Sequence, residues 1–242
     1  MVQVTSTLTQ ATYFDFGALP ASPALPTRSD GAPALWIVGA RTWQENHAAL
    51  ASRVLDAEEH RRAAGFRHSR DRRCYVAAHV ALRLLVAERL HTAPEAVRWI
   101  REPCPTCGDG HGRPAVAGGG AHFSLSHSGD LALIGIADAP LGVDVERLAA
   151  PAVVADVVAM LHPRETAEVA AEPDDARPMA FARAWARKEA YLKGIGTGLS
   201  RSPALDYVGA GPLPASGPDG WTLGDVAVPQ GYAAAFALRS HG

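Results

Sequence analysis

Three consecutive strand-like runs between His122 and Glu146 constrain the fold most. The first alternates from His122 to Ser126, and the second, Leu131 to Ala137, is almost wholly apolar. Ser128-Gly129-Asp130 between them has turn chemistry, so the pair predicts an antiparallel hairpin. The third run, Leu141 to Glu146, alternates strictly. A chain with this succession contains a sheet, and helical sequence lies on both sides of it.

The order of the other elements predicts an α+β fold made of two halves. The elements before and after the three runs are a strand at Leu35–Val38, a helix at Asp71–Leu90, a strand at Val97–Ile100, a Gly- and Pro-rich loop at Glu102–Gly120, helical sequence at Pro151–Ala171, a helix at Met179–Lys193 and short strands from Leu205 to Leu238. We expect residues 34–139 and 140–242 to form the halves, without a visible internal repeat. Residues 1–33 predict a flexible, loosely attached N-terminal tail.

Composition excludes several classes of protein. The 242 residues are 48% hydrophobic, with 23 basic and 25 acidic side chains and a net charge of -2. A sizeable core is therefore possible, and nucleic acid is an unsuitable main partner because it requires a basic excess. No apolar run is long enough to span a bilayer, and the N-terminus lacks export features, which predicts a cytoplasmic protein without membrane partners. Three cysteines fit a reducing compartment.

The alternating strand places Asp144 and Glu146 on one face, opposite three aliphatic residues. Two strand residues advance by about 6.6 to 6.8 Å. That spacing suits two oxygen ligands that approach one hard cation from the same side. The simpler alternative is an edge strand with a solvated acidic face, which is common in antiparallel sheets.

The Met179–Lys193 helix offers a third carboxylate, on a stripe of residues spaced four apart. Phe181, Trp185, Glu189 and Lys193 follow one another at steps of four, so an ionisable pair extends an apolar stripe. A surface ion pair of this kind is worth only about 0.2 to 0.5 kcal/mol and would not explain that continuation. A third carboxylate at Glu189 would complete a magnesium site, with Lys193 one turn away for a phosphate oxygen.

These segments resemble the signatures of a known family. The segment Gly142-Val143-Asp144-Val145-Glu146 and the later Trp185-Ala186-Arg187-Lys188-Glu189-Ala190-Tyr191-Leu192-Lys193 are similar to two signatures of the Sfp-type 4'-phosphopantetheinyl transferases. Phe123-Ser124-Leu125-Ser126-His127-Ser128 resembles a third, and Gly112-Arg113-Pro114 resembles that family's Gly-Lys-Pro. Four motifs in family order make the resemblance specific.

The resemblance implies an enzyme that transfers the 4'-phosphopantetheine arm of coenzyme A to a serine of an apo acyl or peptidyl carrier protein, releasing adenosine 3',5'-bisphosphate. It implies a pseudo-twofold monomer with the active site in the cleft between its halves. Asp144, Glu146 and Glu189 would hold Mg²⁺, and Glu189 would be the base. Lys193 and His127 would neutralise phosphate oxygens as catalytic and coenzyme A-binding residues, and Ser126, Lys188 and Arg113 would line the coenzyme A site. The carrier could belong to fatty acid, polyketide, nonribosomal peptide or siderophore synthesis, and the resemblance to the Sfp-type branch favours secondary metabolism over a dedicated fatty acid role.

Arginines between residues 53 and 73 form a local basic segment, and most of them predict a solvated face. Arg62 matches a basic family position and is the candidate for the 3'-phosphate of coenzyme A, since a guanidinium suits a phosphate. The chain departs from the family pattern at Glu59, where relatives can have lysine.

Cys104-Pro105-Thr106-Cys107 with His111 has the spacing of half a zinc knuckle. Structural zinc takes four ligands, and Cys74 lies inside a predicted helix, so the ligand count favours a metal-free loop. A zinc site is the alternative.

Two other functions compete with a transferase. A non-catalytic module could bind coenzyme A or a carrier protein, but it would have no need for three converging carboxylates. A magnesium-dependent phosphatase or nucleotidyl enzyme would have to activate water, and the sequence contains no P-loop or two-metal carboxylate array.

Overall fold

A computed structural model of the chain describes residues 8–18 and 31–240. They form an α+β fold, as the sequence predicts. The strands are β1 (Thr12–Tyr13), β2 (Ala34–Gly39), β3 (Trp99–Arg101), β4 (Pro114–Val116), β5 (His122–Ser128), β6 (Leu131–Ala137), β7 (Leu141–Arg147), β8 (Trp221–Asp225) and β9 (Tyr232–Arg239). The α-helices are α1 (Ala48–Val54), α2 (Ala57–Ala64), α3 (Ser69–Leu90), α4 (Pro151–Val157), α5 (Pro163–Ala171) and α6 (Arg177–Ile195).

The first sheet has the strand order β1-β2-β6-β5. The predicted hairpin of β5 and β6 is confirmed, with Gly129 in the left-handed conformation at its turn. Helix α3 packs against this sheet, because its apolar side chains, among them Leu85 and Val86, join Trp36 and Ile134 in one buried cluster. Its segment from Asp71 to Leu90 is the helix that the sequence predicts.

The prediction of a loosely attached tail over residues 1–33 is wrong for residues 8–18. Strand β1 pairs in parallel with β2, and Phe14 and Phe16 are buried in the first core. Thr9 also forms a parallel bridge to Val226 near the other end of the chain. The segment lacks periodicity because its contacts are made with distant elements, which local sequence does not reveal. The rest of the predicted tail lies outside the described residues, apart from 31–33.

The second sheet has the order β7-β9-β8, and α6 packs on it. Small residues make the packing close: Ala186 and Ala190 of α6 meet Ala235 and Ala237 of β9 in one buried cluster. Gly142 of β7 allows the nearest approach, because a Cβ there would overlap the Ala190 carbonyl oxygen and lie 2.5 Å from the Gly194 nitrogen. The close packing of α6 on β7 therefore requires glycine, which has no side chain, at position 142.

The two sheets share a core across the predicted boundary near Ala139. Leu35, Ile37 and Leu133 of the first sheet belong to the same buried cluster as Val143 and Phe236 of the second. The sheets differ in strand number and order, four against three. A pseudo-twofold relation between the two predicted halves stays a prediction.

Some element boundaries differ from the sequence prediction. The predicted loop Glu102–Gly120 contains the short strand β4, which begins at a proline and pairs with β3. The helical sequence from Pro151 to Ala171 is divided between α4 and α5, because a 3-10 turn at Val158–Met160 and Pro163 interrupt it. Among the described residues, no helix is long and apolar enough to cross a membrane.

Candidate active site

Side-chain hydroxyls join strand β5 to strand β7. In the described residues these strands lie in separate sheets, yet alternate serines of β5 reach β7. Ser124 Oγ accepts a hydrogen bond from the Val143 N–H (3.0 Å), and Ser126 Oγ donates to Asp144 Oδ1 (2.7 Å). Ser128 Oγ donates to Glu146 Oε2 (3.1 Å). We call Ser124, Ser126 and Ser128 the serine seam.

A buried carboxylate and a lysine meet at the centre of the seam. Asp144 is 2% exposed, so the alternative of a solvated acidic face is wrong for this residue. Lys193 Nζ donates to Asp144 Oδ1 (2.6 Å) and to Ser126 Oγ (3.0 Å). Asp144 Oδ2 is buried without a hydrogen-bond partner among the described residues. Such an oxygen is costly unless a cation or a donor meets it.

Burial raises the pKa of all three carboxyl groups at this place, and the charge of Asp144 adds to the effect at the other two. Burial and the Asp144 charge raise the pKa of Glu146 to about 7. Burial and the same charge also raise the pKa of Glu189, against the effect of Lys193. Burial raises the pKa of Asp144 too, and Lys193 and Ser126 oppose it. A further positive charge nearby would lower the pKa of all three groups and favour their ionised forms.

The donor set of Asp144, Glu146 and Glu189 therefore fits a hard divalent cation, which prefers carboxylate oxygens. The unpartnered Asp144 Oδ2 is the observation that favours the fit. In the described chain, the oxygens of these three carboxylates do not all lie within 4.8 Å of one another. Lys193 already neutralises part of the Asp144 charge. A cation at this place would thus share Asp144 with the ammonium group.

Three consecutive charged residues of α6 point in different directions. Arg187 is fully buried and forms an ion pair with Asp225 (2.6 Å). Lys188 is also fully buried, and its Nζ binds Glu165 (2.8 Å) and the carbonyl oxygen of Asp206. Glu189 lies close to Asp144, whose charge adds to burial in raising the pKa of Glu189. The structure does not bring Lys188 to the cleft where the sequence expects it, because Glu165 already holds its charge inside the second half.

A cavity of about 550 Å³ opens beside the seam. Its volume lies within the range of small-molecule sites. It is lined by four of the predicted site residues, which are Arg62, Arg113, His127 and Lys193. Arg113 spans the cavity edge, since its Nη1 donates to the Gly194 carbonyl oxygen of α6 (2.9 Å) while its Nε contacts Glu102 (2.7 Å).

The cavity lining carries both signs of charge: Arg62, Arg113 and Lys193 line it with His127, and so do Asp56, Glu58 and Glu59. Burial lowers the pKa of His127, and the positive charges of His79, Lys193 and Arg62 lower it further. A neutral histidine there can donate one hydrogen bond to an anion, and the surrounding cations attract phosphate groups. The arrangement suits a ligand with several phosphates.

One part of the cavity wall was not predicted from the sequence. Tyr75 and His79 of α3 line it, stacked with ring centroids 4.0 Å apart. Glu59 joins them, because it binds His79 Nδ1 (3.1 Å), Arg83 Nε (2.7 Å) and Trp99 Nε1 (3.1 Å). The spacing of four from Tyr75 to His79 to Arg83 on one helix is the signal that could have revealed this wall. At Glu59, the departure from the family pattern, the carboxylate is thus bound to groups of the protein.

We expect Glu59→Gln to lower the free energy of unfolding by about 3 kcal/mol at pH 7. Burial alone would raise the pKa of Glu59, but hydrogen bonds from His79, the Asp56 N–H and Arg83 outweigh it and hold the pKa at about 2, against 4.5 in the unfolded chain. A carboxyl group whose pKa falls on folding stabilises the protein at pH values above the pKa that the group has in the unfolded chain. Urea unfolding at several pH values should therefore show the wild-type advantage shrinking between pH 4.5 and about 2.

The control is Glu58→Gln, since Glu58 is the exposed neighbour on the same helical turn. It should change stability by less than about 0.5 kcal/mol at every pH. Equal effects of the two substitutions would contradict the assignment of stability to the Glu59 network.

Fold and site together define an α+β protein with a cavity lined in part by basic side chains, beside a cluster of one buried and two partly buried carboxyl groups. Residues 140–219 match the family model described as the 4'-phosphopantetheinyl transferase superfamily. The chain is 30% identical to the 4'-phosphopantetheinyl transferase HetI of Nostoc sp., over 78% of each chain. It is 33% identical to the 4'-phosphopantetheinyl transferase psf-1 of Bacillus pumilus, over 38% of this chain and 40% of that one.

A third relative, the L-aminoadipate-semialdehyde dehydrogenase-phosphopantetheinyl transferase of Xenopus laevis, is 26% identical over 68% of this chain and 57% of its own. The chain thus spans only 40% to 59% of the length of several curated relatives that it matches. The match to HetI extends over most of both proteins, and the family-model match includes Asp144, Glu146, Glu189 and Lys193. The chain belongs to the 4'-phosphopantetheinyl transferase superfamily, a family of transferases.

Proposed function

We propose that the chain transfers the 4'-phosphopantetheine group of coenzyme A to a serine of an apo acyl or peptidyl carrier protein in a magnesium-dependent reaction. The products would be the holo-carrier protein and adenosine 3',5'-bisphosphate. The observation that carries the proposal is the contact of Lys193, which lines the cavity, with both Asp144 and Ser126. The proposed phosphate-binding side of the cavity and the acidic cluster would thus meet at the Lys193 side chain.

Coenzyme A is the proposed occupant of the cavity. Arg62 and Arg113 would bind its phosphates, because both line the cavity and a guanidinium can donate two parallel hydrogen bonds. His127 and Lys193 line the cavity near the seam and would meet the pyrophosphate. Ser126 would position Lys193 through their hydrogen bond. Lys188 is proposed to stabilise the second half through Glu165, in place of the coenzyme A contact that the family resemblance implies.

Asp144, Glu146 and Glu189 would hold the magnesium ion. When bound, it would neutralise charge that develops on the pyrophosphate as the phosphorus–oxygen bond breaks. The raised pKa values of Glu146 and Glu189 and the unpartnered Asp144 oxygen support these ligands.

Glu189 would also accept the proton of the attacking serine. A general base acts best when its pKa lies near the working pH, and burial and Asp144 shift the pKa of Glu189 upward in that direction. The carboxylate is half-buried, so a serine side chain can approach it. A monomer is the proposed active unit.

The direct test is to incubate the protein with coenzyme A, Mg²⁺ and an apo carrier protein, and to weigh the carrier. We expect a mass gain of one phosphopantetheine on the acceptor serine, and none when that serine is replaced by alanine. Carrier or coenzyme A binding without a mass gain would favour a non-catalytic binding module. Carriers from fatty acid, polyketide and nonribosomal peptide synthases, compared at equal concentration, would identify the pathway.

A further inference from the structure

The segment between β3 and β4 is a closed loop that holds two of the three cysteines. Its ends are tied by backbone hydrogen bonds from Glu102 N to Arg113 O (3.1 Å) and from Gly112 N to Glu102 O (3.0 Å). A Cβ on Gly112 would lie 2.8 Å from the Pro103 carbonyl oxygen, so the loop closes tightly. Its interior geometry is therefore fixed by the chain itself.

Three ligand atoms converge inside this loop. One atom each of Cys104, Cys107 and His111 lies within 4.8 Å of the other two, and Cys107 Sγ is 2.9 Å from His111 Nε2. Zinc bonds to sulfur and imidazole nitrogen at about 2.3 and 2.0 to 2.1 Å, which places the ligand atoms of a tetrahedral site about 3.4 to 3.8 Å apart. Only small side-chain rotations separate the observed group from that geometry.

Backbone hydrogen bonds fix a turn around the first cysteine. Gly108 N donates to Cys104 O (2.8 Å), and Cys104 N donates to Asp109 O (2.7 Å). Gly108 adopts a left-handed φ of +80°, which a residue with a side chain rarely adopts.

The ligand count that argued against a metal can now be examined in three dimensions. Cys74 is buried in the first core and does not belong to the group. Among the described residues no fourth ligand joins it, but two cysteines, one histidine and a water molecule are an accepted coordination of zinc. Cys107 and His111 are exposed, so solvent can reach a fourth position.

We propose that Cys104, Cys107 and His111 bind a zinc ion with one solvent ligand. Two thiolates and an imidazole favour zinc over magnesium or calcium, which prefer oxygen. The site is separate from the carboxylate cluster, and it keeps one coordination position open, unlike zinc sites closed by four protein ligands. It holds the loop from which Arg113 reaches across to the Gly194 carbonyl oxygen of α6.

The test is the zinc content of the purified full-length protein by inductively coupled plasma mass spectrometry, after expression with added zinc and dialysis. We expect about one zinc per chain, at least about tenfold less in Cys107→Ser and His111→Ala, and unchanged content in His60→Ala and Cys74→Ala. The two ligand variants replace exposed side chains, so they should still fold. Removal of zinc by a chelator should lower the Tm of the wild type, and Co²⁺ should restore it with the visible bands of thiolate coordination.

Three results would overturn the proposal. The first is wild-type protein with no zinc and no uptake of Zn²⁺ or Co²⁺ under reducing conditions. The second is full zinc content in both ligand variants, which would place the metal elsewhere. The third is a Cys104–Cys107 disulfide in metal-free protein as isolated. None of these readouts depends on transferase activity.

Discussion

Substitution of Glu189 by glutamine is expected to lower the turnover of carrier modification by on the order of 10³-fold or more. The change preserves volume and hydrogen bonding capacity but removes the charge that is proposed both to bind magnesium and to accept the serine proton. Glu189 lies close enough to Asp144 for the Asp144 charge, together with burial, to raise the pKa of Glu189. The charge of Glu189 therefore belongs to the same site. Turnover should be measured by carrier mass at saturating coenzyme A and carrier, across pH and magnesium concentration.

Lys193→Ala provides the comparison for Glu189→Gln. We expect it to retain measurable transfer while its coenzyme A affinity falls, because the proposed role of Lys193 is phosphate binding. Glu189→Gln should keep the wild-type Tm within a few degrees, whereas Lys193→Ala should lower it, because Lys193 is the cation that meets the buried Asp144. Transfer by both variants is therefore compared at a temperature at which circular dichroism shows each to be folded. Near-normal turnover of Glu189→Gln at saturating magnesium would exclude Glu189 as the base and leave only a ligand role.

Gly142→Ala is expected to impair both stability and turnover. A Cβ at this position would overlap the Ala190 carbonyl oxygen, and backbone atoms of α6 cannot rotate away as a side chain could. Overpacking typically costs about 1 to 3 kcal/mol, and this contact belongs to the upper part of that range. The helix that moves also carries Glu189 and Lys193, so a displacement near 1 Å should lower turnover by on the order of 10².

Gly39→Ala is the matched control, since Gly39 is also a strand glycine and its Cβ would find only Thr42 Cγ2, at 3.7 Å. It should change the free energy of unfolding by less than about 1 kcal/mol and leave turnover unchanged. Thermal unfolding and single-turnover assays on both variants provide the measurement. A Gly142→Ala protein with wild-type Tm and turnover would mean that α6 does not depend on this approach.

Elements with strong local signals could be predicted from the sequence. The β5–β6 hairpin, β7 and α6 follow from alternation, turn residues and the Gly and Pro that end a helix, all of which lie within a few residues. Elements stabilised by distant partners could not be predicted. β1 exists because β2 offers it a free edge, and β4 exists because β3 lies opposite.

The same distinction applies to the site residues. The step of four that links Glu189 to Lys193 was visible in the sequence, and the structure places both near Asp144. Lys188 was carried over from a motif, but its environment is set by Glu165, twenty-three positions away along the chain. A motif indicates which residue type is retained and does not indicate what that residue touches.

The serine seam has a consequence for how a site of this kind can evolve. A backbone ladder fixes the offset of two strands in whole-residue steps, and a point mutation cannot easily alter it. Between β5 and β7 the described chain instead relies on three hydroxyl groups, each encoded by one codon. Exchange of a single serine for threonine, alanine or asparagine can therefore readjust the spacing of Asp144 and Glu146 from the cavity wall while both sheets keep their own pairing. Selection can therefore act on this joint between the sheets without disrupting the pairing of either sheet.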